Sequence, residues 1–220
     1  MYKLRDYQVE AVEQSLWHLE NYKKPFIIQA ATGAGKSLII ADICHKLDEP
    51  VLILQPTKEL LEQNYAKLKS YDIDDVAIYS ASMKTKEVGK FTYATIGSIY
   101  KKPELFKHFK CVIIDECRLV NPKNLDGMYT KFLNAIECTR VCGLTATPYR
   151  LQQKYFRENG QMYYTSHLKM INRIHPFFFK KIAYTIETQE LIDMGYLCPI
   201  KYRSDEIDWN LLEVNSTGAD

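Results

Sequence analysis

Short, mostly apolar runs recur along the chain at 26–29, 51–55, 76–79, 91–94, 111–114 and 141–144 and read as strands. The continuous runs 111–114 and 141–144 are what central strands buried on both faces require. The segments between the runs carry a different period. Val9, Val12, Leu16 and Leu19 recur at helical spacing behind Asp6, a candidate helix cap, and Leu61, Tyr65 and Leu68 line one face of a helix that Thr57 can cap. The stretch 36–47 reads as another helix, and 188–194 as a short one stopped by Gly195. Strands alternating with helices predict an α/β fold with a doubly wound, mostly parallel sheet. The polar, basic stretch 80–90 is expected to be a surface loop, and Thr95-Ile96-Gly97-Ser98 a plain turn at a strand end.

Composition changes this picture little. The 220 residues are 46% apolar, enough for one large domain with or without a tail, and the formal net charge of +2 neither demands nor excludes nucleic acid. Six cysteines include no Cys-x-x-Cys pair, and Cys111 and Cys142 fall inside apolar runs, so core thiols are expected rather than disulfides or metal ligands. No apolar run approaches membrane-spanning length, and the N-terminus is not a signal sequence. The expected protein is soluble and cytoplasmic, with no membrane partner.

The chemistry lies where the runs end. Ala30-Ala31-Thr32-Gly33-Ala34-Gly35-Lys36-Ser37 joins a strand to a helix. Such a turn presents backbone N–H groups at a helix N-terminus, where a triphosphate fits. Lys36 can reach the β and γ phosphates, and the Ser37 hydroxyl can ligate Mg²⁺. Ala30 stands where the usual pattern has its first glycine. The run 111–114 ends in Asp115-Glu116; acids at the tip of a buried strand are costly unless they bind something, and a hydrated Mg²⁺ and a water suit them. Gln8 carries a donor and an acceptor that match adenine. Pro56-Thr57-Lys58 begins a helix whose free N–H groups can take a nucleic-acid phosphate.

Taken in order, Leu-Arg-Asp-Tyr-Gln (4–8), Ala-Thr-Gly-Ala-Gly-Lys-Ser (31–37), Gln-Pro-Thr-Lys-Glu-Leu (55–60), Asp-Glu-Cys-Arg (115–118) and Gly-Leu-Thr-Ala-Thr-Pro (143–148) resemble the first RecA-like, ATP-binding domain of a superfamily 2 helicase or translocase. The similarity is greatest to the branch of UvrB-type repair helicases and type III restriction motor subunits, and 190–199 resembles that branch's closing element. The resemblance implies ATP and Mg²⁺ as cofactors and nucleic acid, DNA before RNA, as partner. It implies that Arg5 and Gln8 read adenine, and that Thr32, Gly33, Ala34, Gly35, Lys36 and Ser37 hold phosphates and the ion. Asp115 would hold Mg²⁺ through water and Glu116 would activate the attacking water. Thr145 and Thr147 would couple the nucleotide to the track, which Pro56, Thr57, Lys58 and Thr95 would touch.

Arg118 departs from the family, which commonly has His or Asp there; a permanently charged side chain could pair with Asp115 or Glu116, reach across an interdomain cleft, or lie idle. Family motors also have a second RecA-like domain, whose arginine fingers are worth roughly 10³ to 10⁵ in rate in phosphoryl-transfer enzymes. None of its motifs occurs here. The expectation is an N-terminal part of a longer motor: a domain over 1–200, then an acidic linker, 201–220, toward the second domain. Alone it should bind nucleotide weakly and hydrolyse it slowly.

The stretch 149–184 is basic and aromatic, with Glu158 its one acid. Two readings stay open: single-strand contact, or plain packing of a helical excursion with Phe177-Phe178-Phe179 in the core. Two other function classes also stay open, a small-molecule P-loop enzyme and a non-catalytic scaffold that keeps the fold.

Overall fold

The computed structural model describes residues 3–47, 49–71, 73–121, 127–158 and 160–199. The expected linker, 201–220, therefore lies outside the described residues. Helix α1 (Asp6–Trp17) ends in a π-helical turn. Strand β1 (Phe26–Ala30) leads into α2 (Lys36–Lys46), then β2 (Val51–Gln55) and α3 (Lys58–Lys69). Next come β3 (Val76–Ser80), β4 (Thr85–Lys86), β5 (Phe91–Thr95) and the one-turn α4 (Ile96–Ile99). Strand β6 (Cys111–Asp115), α5 (Met128–Ala135) and β7 (Arg140–Thr145) follow. A hairpin of β8 (Tyr149–Glu158) and β9 (Gln161–Met170), then β10 (Lys181–Ile186) and α6 (Thr188–Asp193), complete the elements.

Eight strands form one sheet in the order β10-β1-β7-β6-β2-β5-β3-β4, parallel except for β4. Alternation within each apolar run divides the core. Phe26, Ile28, Val51, Ile53, Cys111 and Ile113 pack with α1, α2 and α3 on one face, whereas Ile27, Leu52, Leu54, Val112 and Ile114 pack with α4 and α5 on the other. The unbroken runs are thus central strands of an α/β/α sandwich. Cys44, Cys111, Cys117 and Cys142 are buried, and all six cysteines are unpaired. Burial pushes the Cys142 thiol up to about 12 and the Cys138 thiol to about 11, so both stay protonated and unreactive at neutral pH. Among the described residues no helix is long and apolar enough to cross a membrane.

Several expectations change. Arg5, not Asp6, is the cap of α1; its N–H donates to Gln8 Oε1 at 3.0 Å, so the glutamine three residues on closes the helix start. The 80–90 stretch contains β4, a two-residue strand paired with β3. Residues 96–99 form a helical turn rather than a plain one.

The helical excursion is absent. The 149–184 stretch instead contains a ten-residue-per-strand hairpin and β10, the sheet strand beside β1. Aromatic and basic residues stand side by side here, as in Lys154-Tyr155-Phe156-Arg157, so no period of two marked the ribbon. The triple phenylalanine divides as well: Phe179 is buried, Phe178 is partly covered and Phe177 is 40% exposed.

Candidate functional site

In a parallel sheet the strand ends that carry loop chemistry share one edge. Here β7 lies between β1 and β6, so Thr145 is placed between the glycine loop after β1 and the Asp115-Glu116 tip of β6. The loop begins where Ala31 N–H donates to Ile186 O at the end of β10 (3.1 Å), and closes where Ala34 N–H donates to Ala31 O (3.1 Å). Gly33 and Gly35 have φ of +85° and +79°, a region that costs other residues about 1–2 kcal/mol. Helix bonding within α2 begins at Leu38, whose N–H donates to Gly35 O, so the N–H groups just before it have no acceptor within the helix.

Helix α1 holds this loop from the side. Tyr7 Oη and Gln8 Nε2 both donate to Ala34 O, at 3.2 and 2.8 Å. Gln8 is 3% exposed, yet each end of its amide retains one free valence: a second hydrogen on Nε2 and a second lone pair on Oε1. A Cβ on Gly35 would lie 2.5 Å from Gln8 Nε2, so a larger residue there would displace the Gln8 amide in addition to straining the backbone. The C-terminal turn of α6 closes in from above. Gly195, at φ +75°, turns the chain so that Tyr196 and Leu197 N–H groups both donate to Leu191 O. Leu197 then lies over Gly33, and the Arg5 guanidinium stacks on the Tyr196 ring at 4.1 Å.

Glu116 is the junction of the site. It has φ +50°, which turns its carboxylate back across the strand ends. Lys36 Nζ lies 3.9 Å from its Oε1, while Thr145 Oγ1 and Arg118 Nε donate to its Oε2 at 3.1 and 3.3 Å. Of the two carboxylates the sequence offered Arg118, Glu116 is the one it bonds in this structure. Thr147 N–H donates to Thr145 Oγ1 (3.2 Å), extending the chain of bonds along the loop after β7.

Asp115 is 4% exposed and accepts from Glu116 N–H (3.0 Å) and Asn64 Nδ2 (3.1 Å). Burial holds its carboxyl above the usual aspartate range; the Lys36 charge opposes that shift and the Glu116 charge reinforces it. A buried carboxylate short of positive charge beside a lysine, a hydroxyl and a helix start suits a divalent cation.

The expected nucleic-acid residues are farther along the same edge. Thr57 Oγ1 accepts from Leu60 N–H (3.3 Å) as the cap of α3, and exposed Lys58 pairs with Glu62 at 3.6 Å. Thr95 sits opposite Gln55 in register and its hydroxyl bonds Ser98, which in turn accepts from Ala81 N–H. Pro56 lines a recess of about 330 Å³ with Ile96, Leu119 and Tyr129, and strands β7 and β6 stand between this group and the strand of the glycine loop.

Four residues of the site escaped the sequence reading. Asn64 had a signal, a lone amide on the face of α3 that Leu61 and Leu68 bury. Tyr7 was hidden as one more aromatic, and Tyr196 and Leu197 had no signal beyond the resemblance of the segment that contains them.

Residues 1–150 match the family model described as the type III restriction enzyme, res subunit. The chain belongs to that family. It is an N-terminal, RecA-like ATP-binding domain of the superfamily 2 helicases. The candidate ATP-dependent RNA helicase QP509L of African swine fever virus (isolate Pig/Kenya/KEN-50/1950) is 32% identical over 155 residues, 67% of this chain and 30% of the viral protein. The DNA 3'-5' translocase XPB2 of Sulfurisphaera tokodaii is also 32% identical over 155 residues, 70% of this chain and 33% of the relative. The type ISP restriction-modification enzyme LlaGI, solved with a DNA substrate mimic, shares the fold with a TM-score of 0.60 at 17% identity over 89% of this chain and 21% of its own. The chain thus matches about a third of the length of these two curated relatives.

Proposed function

We propose that this domain binds Mg²⁺-ATP and, joined to a second RecA-like domain, hydrolyses it to drive movement on nucleic acid, with DNA as the track. The observation that carries the reading is the bonding of Glu116 to Lys36, Thr145 and Arg118 next to the buried Asp115. A phosphate-binding lysine, a carboxylate suited to an ion and a second carboxylate wired to the loop after β7 are the parts that couple hydrolysis to a track.

ATP with its Mg²⁺ supplies the phosphoanhydride and the charge neutralisation. The chain supplies the remainder. Arg5 and Gln8 bind the adenine edge through the amide's free valences. Thr32, Gly33, Ala34, Gly35 and Lys36 cradle the phosphates, while Ser37 and Asp115 hold the ion. Glu116 orients a water and takes its proton. Thr145, Thr147 and Arg118 pass the state of Glu116 toward the track, held by Pro56, Thr57, Lys58 and Thr95. DNA is favoured because the relative XPB2 is named a DNA translocase, although QP509L is named for RNA.

A weakly hydrolysing scaffold is the second reading, favoured by one contact: Arg118 occupies an oxygen of the proposed base. Steady-state ATP hydrolysis by the full-length protein, with and without single-stranded DNA, duplex DNA or RNA, separates the two. The motor reading expects DNA to raise the rate, Glu116→Gln to abolish it by about 10² or more, and nucleotide binding to survive that change. Turnover indifferent to every nucleic acid, or unchanged in Glu116→Gln, would overturn it.

A further inference from the structure

The β8–β9 hairpin leaves the strand-end edge immediately after Thr147-Pro148. Its base is fixed where Arg150 Nε donates to Arg118 O (2.6 Å) and Ile171 N–H donates to Pro148 O (2.8 Å). Ten residues per strand carry it about 30 Å from the site. Its pairing is regular throughout, so opposed residues share a face.

Both faces carry an exposed aromatic pair, Tyr155 with Tyr164 and Phe156 with Tyr163, but the register divides the cations unequally. Leu151, Tyr155, Met162, Tyr164 and Leu168 fall on one face. Arg150 opposite Lys169, His167, Lys154, and Phe156 opposite Tyr163 fall on the other. Of the four Lys and Arg residues in 149–170, three are on this second face and only Arg157 is on the first. Near the tip the Phe156 and Tyr163 rings stack at 5.7 Å with 21° between planes, 44% and 42% exposed. None of the ion pairs among the described residues uses Lys154 or Lys169. At the base, Arg118, Thr147, Arg150 and Leu168 line a recess of about 430 Å³, and burial together with the Arg118 charge draws the Arg150 pKa below its usual value.

Cations leading from a two-arginine recess to an exposed aromatic pair have the chemistry of a strand track: charges follow phosphates and rings stack unpaired bases. We propose that the cation-bearing face of this hairpin binds a single strand of nucleic acid, with Arg150, Lys154 and Lys169 on its phosphates and Phe156 and Tyr163 against its bases. It is a contact additional to Pro56–Lys58 and Thr95, and it rests on the nucleic-acid reading above. A duplex is the less suitable ligand, because its bases are already stacked on one another.

The test is fluorescence anisotropy of this chain with labelled dT20 and with a blunt duplex, over a series of salt concentrations, beside binding of a fluorescent ATP analogue. Lys154→Ala/Lys169→Ala should weaken dT20 binding by roughly ten-fold and reduce the salt slope by about 1.4, at about 0.7 per phosphate contact. Phe156→Ala/Tyr163→Ala should weaken it by roughly ten-fold with the slope unchanged. Arg157→Ala, on the other face, should bind like wild type, and each variant should melt at the wild-type temperature because none of the changed residues is buried. Equal loss in Arg157→Ala, wild-type affinity in both double variants, tighter binding of the duplex, or no dT20 binding by the wild-type chain would each overturn the proposal. Retained binding of the ATP analogue, with DNA-stimulated hydrolysis in the full-length protein, would leave the motor reading standing in any of those cases.

Discussion

Asp115 shows how one residue's burial serves binding at the expense of stability. Its folded pKa is raised, so its stabilising contribution is complete below the ordinary aspartate value and is lost as pH rises through the folded value. Above that folded value and without an ion, the site holds a charge that burial disfavours. Asp115→Asn should therefore melt at a higher temperature than wild type at pH 7, with the gap closing as pH falls toward the aspartate range. Mg²⁺-ATP should reverse the order by stabilising wild type alone. Differential scanning calorimetry with and without Mg²⁺-ATP at two pH values reads both effects; a variant less stable than wild type without the ion would refute this account. Glu116 illustrates the complementary case. Its positive φ and three partners fix one orientation, so the strain of that residue aims a carboxylate. Lys36 and Asp115 were legible because each residue type has few other reasons to stand at a strand end, whereas Thr145 was marked only by the family resemblance of 143–148. Arg118 was legible as a departure, while its partner was not, because a long flexible side chain reaches several acids and only the fold selects one.

At the scale of elements, legibility followed burial. The runs that became β1, β2, β5, β6 and β7 announced themselves because both faces are covered. The hairpin and β10 did not, since one is open on both faces and the other is half-buried at the sheet's edge. Helix α5 was missed as well, although Tyr129, Phe132 and Leu133 bury one face of it. The connector between β9 and β10 shows how a single ring can matter where its neighbours do not. Phe179 fills the space that Gly143 leaves on β7, beside Cys117 in the turn that carries Glu116. Phe179→Ala should cost about 3–5 kcal/mol, whereas exposed Phe177→Ala should stay within about 0.5 kcal/mol. Urea melts of the two variants test this, and equal losses would contradict the packing described.

At the scale of the whole molecule, the sheet order places the phosphate loop's strand between two partners that come late in the chain. Phe26 pairs with Cys142 on one side and Lys181 on the other, and the loop's first N–H is held by Ile186. Within this domain, the nucleotide loop is therefore synthesised before the two strands that complete it. Contacts this distant in sequence form late, because the intervening chain must be closed into loops first. A nascent chain that has passed the helicase motifs but not β10 carries an apolar strand with one edge unpaired, which is both unable to hold ATP and prone to foreign pairing. A chain ending at Arg173 should gain no protection from proteolysis when an ATP analogue is added, while the full 220 residues should; protection of the shorter chain would disprove it. ATP affinity in this architecture thus reports that synthesis has gone far enough, and the loop cannot work ahead of the strand that finishes the sheet.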